Sequence, residues 1–281
     1  MLWQTTRFQI DLSRPRVMGI VNLTPDSFSD GGRHGDLSEA LRHAQQLLAE
    51  GADILDVGGE STRPGAPPVS EEDELARLMP FLREAVRWHV PISVDTYKAG
   101  VMREVLALGV DIVNDIWALR QPDAQAVVVG HPNCGVCLMH MHREPQSMQL
   151  EPMTGDILLQ VRAFLTNHAE ALTGQGVSPS RIVLDPGVGF GKTVAQNLSL
   201  LARQSEWQVP GYPVLAGWSR KSTLGQVLTQ DGAVPAPEDR VHASVAAALM
   251  SVERGAHVVR VHDVKPTVDA LKVWQALRDQ S

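Results

Sequence analysis

Eight times along the chain a short apolar run ends in polar or charged residues, and this repetition constrains the fold more than any other feature. Val17 to Val21 ends in Asn22, and Ile54-Leu55-Asp56-Val57 runs into Gly58-Gly59-Glu60-Ser61-Thr62-Arg63. Ile92-Ser93-Val94 ends in Asp95, Ile112-Val113 in Asn114-Asp115, and Val136 to Met141 in His142. Ile182-Val183-Leu184 ends in Asp185, Val214 to Gly217 in Ser219-Arg220-Lys221-Ser222, and His257 to Val261 in His262-Asp263. Short runs rich in Val and Ile, bounded by Gly, Pro, Asn and Asp, read as strands.

Helix signals lie between them. Leu37 to Glu50 reads as a helix, with Asp36 and Glu39 spaced as a capping box and Gly51 as the stop. Glu71, Glu72, Asp73 and Glu74 fall in the first turns of the next helix, where acids complement the macrodipole. Further helices are predicted over Tyr97 to Leu108, Asp123 to Val129, Asp156 to Thr173, near Leu198, over His242 to Arg254, and over Pro266 to Arg278. Strands alternating with helices, with no hairpin signals between them, demand an all-parallel sheet. Eight such units predict an α/β chain folded as one (β/α)₈ TIM barrel domain over residues 1–281. An open doubly wound sheet fits less well, because no G-x-G-x-x-G follows the first strand. A length of 281 residues suits a barrel, which takes about 250. Met1 to Pro15 reads as an extended or hairpin-like leader covering the barrel floor.

A formal charge of −7 gives no basic footprint for nucleic acid. No apolar run approaches the roughly 20 residues of a membrane span, and Met1 to Ser13 lacks the layout of a signal peptide. A soluble cytoplasmic protein is the expectation. Cys134 and Cys137 form a C-x-x-C, with His131 and His140 nearby. The pair leads into a strand rather than a helix N-terminus and has no second C-x-x-C, so ordinary thiols are expected instead of a redox or zinc pair.

In a barrel of this kind the site lies where strands end. Asp95, Asn114, Asp185 and Lys221 stand at such ends, with Met139 and Phe190 as apolar walls. Carboxylates, an amide and an ammonium in a narrow cavity are costly unless paired. Their partner is either a flat heterocycle whose edge alternates donors and acceptors, or one another in a polar core layer. Asp185 is followed by Pro186 and three glycines among which Phe190 sits, a bare loop beside the carboxylate. Arg260 and His262, two apart on a strand, point the same way; with Arg220 and Lys221 they are expected to form a cationic corner for phosphate or diphosphate. Asn22 and Asp30 are candidates to hold the Mg²⁺ a diphosphate brings, since Mg²⁺ takes a few protein oxygens besides phosphate and water. His140 and His142 lack a third ligand for zinc. A Schiff-base role for Lys221 finds no other support in the chain. Asn22 to Gly32 and Glu60 to Gly65 are too rich in turn residues for plain connectors, and read as lids.

Together these segments resemble the dihydropteroate synthases. The resemblance rests on Asn22-Leu23-Thr24-Pro25-Asp26-Ser27-Phe28-Ser29-Asp30-Gly31-Gly32, Gly59-Glu60-Ser61-Thr62-Arg63-Pro64-Gly65 and Ser93-Val94-Asp95-Thr96. It continues through Asn114-Asp115, Asp185-Pro186-Gly187-Val188-Gly189-Phe190-Gly191-Lys192, Ser219-Arg220-Lys221-Ser222 and Arg260-Val261-His262-Asp263. It implies condensation of 6-hydroxymethyl-7,8-dihydropterin diphosphate with 4-aminobenzoate, a folate-biosynthesis step that sulfonamides target, in a homodimer with Mg²⁺. By position, Asp95, Asn114, Asp185 and Lys221 would read the pterin edge between Met139 and Phe190. Asn22, Arg260 and His262 would hold the diphosphate and its metal, with Thr62 close by. Ser222, Arg63, Pro64 and Phe28 would enclose the aminobenzoate. Asp95, Asp185, Lys221, Arg260, His262 and Asp30 are the expected catalytic groups. Two positions depart from the family pattern: Arg143 stands where glycine is usual, and Trp218 where a smaller apolar residue is usual. Strand alternation turns Trp218 toward the helix layer. The rival readings are a corrinoid-dependent methyltransferase barrel and a pterin-binding paralogue that does not catalyse condensation.

Overall fold

The computed structural model describes residues 1–24, 32–61, 66–144, 148 and 150–280, with side chains from residue 37 in the second of these segments. The chain opens with β1 (Leu2–Gln4) and β2 (Gln9–Asp11), which pair antiparallel. The barrel strands follow: β3 (Arg16–Asn22), β4 (Ile54–Gly58), β5 (Ile92–Asp95), β6 (Ile112–Asp115), β7 (Gly135–Met139), β8 (Ile182–Asp185), β9 (Leu215–Ala216) and β10 (Val258–Val261). Helices α1 (Gly32–Glu50), α2 (Glu71–Ala85), α3 (Ala99–Leu108), α4 (Ala124–Gly130) and α5 (Ile157–Thr173) separate the first six of these strands. Helices α6 (Val194–Ala202), α7 (Gln204–Trp207), α8 (Ser222–Val227), α9 (Val241–Glu253) and α10 (Val264–Arg278) complete the outer layer.

All neighbouring barrel strands pair parallel, in the order β8-β7-β6-β5-β4-β3-β10-β9. The ring closes through a parallel bridge between Leu184 and Val214, where the Leu184 N–H donates to Pro213 O at 2.9 Å. This is the (β/α)₈ barrel expected from eight strand–helix units. Local chemistry sets the helix ends. Ser70 Oγ accepts from the Asp73 N–H ahead of the acids of α2, Asp156 caps α5, and Thr193 with Gln196 makes a capping box on α6. Gly51 stops α1 at φ 105°, a backbone state that glycine adopts freely.

Two expected boundaries need correction, and one helix is added. α1 begins at Gly32, so Asp36 lies within the helix and is not its cap. α3 begins at Ala99, because Thr96 Oγ1 takes the Lys98 N–H and leaves Tyr97 in the loop. The six-residue α8 after β9 was not expected.

The barrel interior is layered. Met18, Ile54, Ile112, Cys137, Val183, Leu215 and Val258 form an apolar floor with Trp3 of β1 packed among them. Trp3 Nε1 donates to Arg181 O at 2.9 Å, which seats the hairpin under the strands. Two residues further along β4, β6, β8 and β10 the lining turns polar, with Asp56, Asn114, Asp185 and Arg260, and Asp95 ends β5. Register pairs Asp95 with Asn114 and Met139 with Asp185, and sets Asp56 beside Ser93, two residues before Asp95. The outer face packs apolar against the helices, and Trp218 lies there, buried with Leu224 and Ala247. Cys134 and Cys137 are free and buried on opposite faces of β7, one in the outer core and one in the floor. No described helix is long and apolar enough to cross a membrane.

Candidate active site

The polar layer is built around Arg260. Its Nε donates to Asp56 Oδ2 at 2.6 Å and its Nη2 to Asp95 Oδ2 at 2.7 Å. Asn114 Nδ2 donates to the same Asp56 oxygen at 3.2 Å. Asp56 is 0% exposed, and its Oδ1 has no protein partner. An unpaired carboxylate oxygen at that depth marks a place for a ligand or an ordered water. Burial raises the Asp95 carboxyl to about 7, against the opposing pull of Arg260. Burial alone would lower Arg260, but Asp56 and Asp95 more than reverse that, and the guanidinium stays charged.

On the other side of the mouth, Asp185 Oδ1 accepts from the Gly187 N–H at 2.7 Å. Burial raises this carboxyl, while that N–H and Lys221 work in the opposite direction. Lys221 Nζ lies 4.3 Å from the centre of the Phe190 ring. Burial, then the charge of Arg260, lowers this ammonium to about 8. A side chain added at Gly189 would come within 3.4 Å of Lys221 Cδ, and one at Gly217 within 3.9 Å of Asp185 Oδ2, so glycine keeps the space open. Met139 and Phe190 pack together with Ile116, Met141 and Met148, with Tyr97 and Trp117 against them. The result is a slot with an apolar wall and charged edges, suited to a flat polar ring.

Arg220, Lys221, Arg260 and His262 lie near one another, as expected of the cationic corner, but only two of them keep a charge free for a ligand. Arg220 donates to both oxygens of Asp263, at 3.0 and 2.6 Å, and is therefore spent on an ion pair. It sits at φ 59°, a conformation that costs about 1–3 kcal/mol for a residue with a side chain, and is held by Ser244 Oγ and Arg240 on its N–H and C=O. Locking Arg220 outward aims the next residue, Lys221, inward. His262 Nδ1 lies 3.0 Å from Ser219 Oγ. Burial, with Arg260 and Arg220 beside it, pushes His262 down to about 3, so its ring is neutral. Arg260 and Lys221 remain as the charged donors of the polar layer.

Asn22 ends β3 beside Gly58, where an added side chain would come within 3.9 Å of its Oδ1. A strand-end amide oxygen is a ligand type that Mg²⁺ accepts alongside phosphate and water. Among the described residues no three His, Cys, Asp or Glu side chains converge on one metal position. Ser222 is exposed in the first turn of α8. Phe28, Asp30, Thr62, Arg63 and Pro64, and with them residues 25–31 and 62–65 of the two expected lids, lie outside the described residues. The root of the second is fixed: Glu60 accepts from Tyr97 Oη at 3.0 Å and pairs with Lys98, which also pairs with buried Glu74.

Two site groups escape a search confined to strand ends. Asp56 stands mid-strand, and its signal was a carboxylate in step with the interior residue Ile54. Lys192, at the end of the glycine loop, is buried with three acceptors around its amine. Asp115 has a structural task, accepting from the Trp117 and Leu119 N–H groups at 2.8 and 2.7 Å. Arg143 occupies φ 61°, which explains a glycine preference there, and pairs with Glu151.

Residues 18–262 match the family model described as pterin binding enzyme. The dihydropteroate synthase of Neisseria meningitidis serogroup B is 50% identical over 281 residues, covering 98% of this chain and 97% of that one. Among solved structures, Burkholderia cenocepacia dihydropteroate synthase complexed with 7,8-dihydropteroate is 51% identical with a TM-score of 0.89, covering 99% and 97% of the two chains. Yersinia pestis dihydropteroate synthase in a sulfonamide drug complex is 45% identical with a TM-score of 0.91, covering 99% of this chain and 100% of that one. With a family model spanning most of its length and relatives near half identity end to end, the chain belongs to the pterin-binding enzymes of the dihydropteroate synthase family.

Proposed function

We propose that this chain is a transferase that condenses 6-hydroxymethyl-7,8-dihydropterin diphosphate with 4-aminobenzoate, giving 7,8-dihydropteroate and diphosphate in folate biosynthesis. The observation that carries it is the polar layer, with Asp95, Asn114 and Asp185 at strand ends near an apolar wall, beside Lys221 and Phe190. Carboxylates suit the N–H and NH₂ groups of the pterin edge, an ammonium suits its ring nitrogen and carbonyl, and the wall takes its face. The orphaned Asp56 oxygen belongs to the carboxylate that also holds the Arg260 guanidinium.

In the reaction the C–O bond to the diphosphate breaks, and the exocyclic methylene becomes cation-like across the dihydropterin ring. Asp95 and Asp185 stabilise that positive charge, and Arg260 and Lys221 offset the charge gathering on the leaving group. The arylamine nitrogen then bonds to the methylene and loses a proton. No protein nucleophile takes part, so rate comes from positioning, electrostatics and exclusion of water. His262, neutral and tethered to Ser219, donates its other ring N–H to the diphosphate without carrying charge. Asn22 would hold Mg²⁺, with Asp30 and the diphosphate completing its oxygen set. Bound there, the metal would neutralise the leaving diphosphate. Thr62 would lie beside the diphosphate, and Ser222, Phe28, Arg63 and Pro64 around the aminobenzoate.

One domain over residues 1–281 would carry this work in the cytoplasm, as a homodimer. Exposed Val227, Leu228 and Val234 near α8 support an apolar contact between copies. Mass spectrometry of the purified protein with both substrates, with and without Mg²⁺, tests the assignment. Magnesium-dependent dihydropteroate is the expected product. Pterin diphosphate bound without turnover would overturn it in favour of the non-catalytic paralogue.

A further inference from the structure

Lys192 follows the glycine loop and has no place in the chemistry above. It is 3% exposed, and its Nζ lies 2.8 Å from Gly187 O, 3.1 Å from Phe190 O and 2.9 Å from His140 Nδ1. Burial lowers this amine to about 7, with Asp185 opposing; as an ammonium it carries three donors on a single atom, and here each has an acceptor. Burial and the neighbouring ammonium push His140 down to about 2, which leaves Nδ1 with a lone pair to accept.

The turn it holds is pressed flat on the end of β7. A side chain added at Gly187 would meet His140 O at 1.8 Å, and one at Gly191 would meet His142 Cβ at 2.6 Å. From behind, Asn197 accepts from the Gly189 N–H and donates to Thr223 Oγ1, both at 2.9 Å, tying the turn to α8. Asp185 is set by the Gly187 N–H at one end of this turn, and Phe190 forms the slot wall at the other.

We propose that Lys192 is a positioning residue for the pterin slot: its ammonium clamps the turn 186–191 against β7 and so sets Asp185 and Phe190 for the ligand. Without it Phe190 O and the His140 ring nitrogen lose their partner and Gly187 O keeps only the Phe190 N–H, and the turn must move to reach water. The inference rests on the pterin reading of the slot, so the test measures wild type first.

Calorimetric titration of full-length wild type with 6-hydroxymethyl-7,8-dihydropterin diphosphate must give binding, or the functional assignment itself fails. With wild type binding, Lys192→Met is expected to raise the pterin Kd at least tenfold. At saturating pterin diphosphate its KM for 4-aminobenzoate is expected to change less than threefold. A merely structural lysine would lower the melting temperature and leave both constants in place, and that result overturns the proposal. If Lys192→Met does not fold, Lys192→Gln keeps two of the three donors and is expected to raise the pterin Kd about threefold or more. A folded glutamine variant that binds pterin like wild type would overturn the proposal equally.

Discussion

Arg260 is hydrogen-bonded to two carboxylates from two different strands at once, Asp56 on β4 through Nε and Asp95 on β5 through Nη2. Asp56 is the deeper of the two and also takes the Asn114 amide, so one buried carboxylate registers the guanidinium and the amide across three strands. Removing one partner of a buried pair leaves a charge uncompensated, at a cost of about 3–5 kcal/mol. Asp56→Asn is therefore expected to lower kcat/KM for the pterin substrate by about 100-fold or more, roughly 3 kcal/mol. It should also lower the melting temperature. Steady-state kinetics with thermal denaturation checks both; full activity in a folded variant would contradict the role.

Lys221 is held for the ligand at a cost to the fold, as its lowered pKa indicates. Lys221→Met keeps the contact with Phe190 and removes the charge. Pterin affinity should fall about 10- to 100-fold while the melting temperature at pH 7 rises by about 2–4 °C, the shift that ~1 kcal/mol gives in a domain of this size. The gap in stability should depend on pH in a definite direction. A lysine whose folded pKa is depressed loses stability as pH falls from its ordinary value toward about 8, so the variant's advantage grows across that range and is complete below pH 8. It closes above the ordinary lysine value of about 10.4. Melting temperatures of both proteins between pH 6 and 10.5 measure this.

Catalysis should have its own pH window. Asp95, raised to about 7, accepts from the pterin edge only when ionised, and Lys221, lowered to about 8, donates as an ammonium. The profile of kcat/KM is expected to be a narrow bell with limbs near those values. His262, pushed down to about 3, adds no limb near 6.5. In Lys221→Met the alkaline limb should be lost while the acid limb remains. An alkaline limb unchanged in that variant would assign it to another group.

Arg143 carries backbone strain at φ 61°, and its partner Glu151 is far into solvent, the two side chains being 47% and 66% exposed. An exposed pair of this kind contributes about 0–1 kcal/mol, and glycine removes strain of about the same size or larger. Arg143→Gly should leave the melting temperature equal or higher and the rate within threefold. A large loss of activity would place Arg143 in the site.

The barrel was legible because each strand writes the same sentence, apolar and then polar, and because a parallel strand must be followed by a helix. Strand ends also announced Asp95, Asn114, Asp185 and Lys221, since a carboxylate or ammonium there has no bland alternative as cheap. Asp56 was hidden because the polar layer sits two residues higher than the floor, and on β4 that level falls inside the strand. Arg220 misled for the opposite reason. It is one residue from Lys221, but its left-handed backbone turns it to Asp263, a contact 43 residues away that spacing cannot foretell. Lys192 looked like the end of a glycine loop because its acceptors are backbone carbonyls and a histidine just past β7, 52 residues away. Helix starts such as Gly32 were lost where a cap-like pair, Asp36 and Glu39, imitated a boundary further in.

The central claim is that the slot joins a pterin to an arylamine with loss of diphosphate. Diphosphate release and dihydropteroate formation, followed together with and without 4-aminobenzoate, test it most directly. The account predicts equal amounts of both products when both substrates and Mg²⁺ are present, and little diphosphate release when 4-aminobenzoate is withheld. Diphosphate released without dihydropteroate, or no release from a protein that binds the pterin tightly, would contradict it.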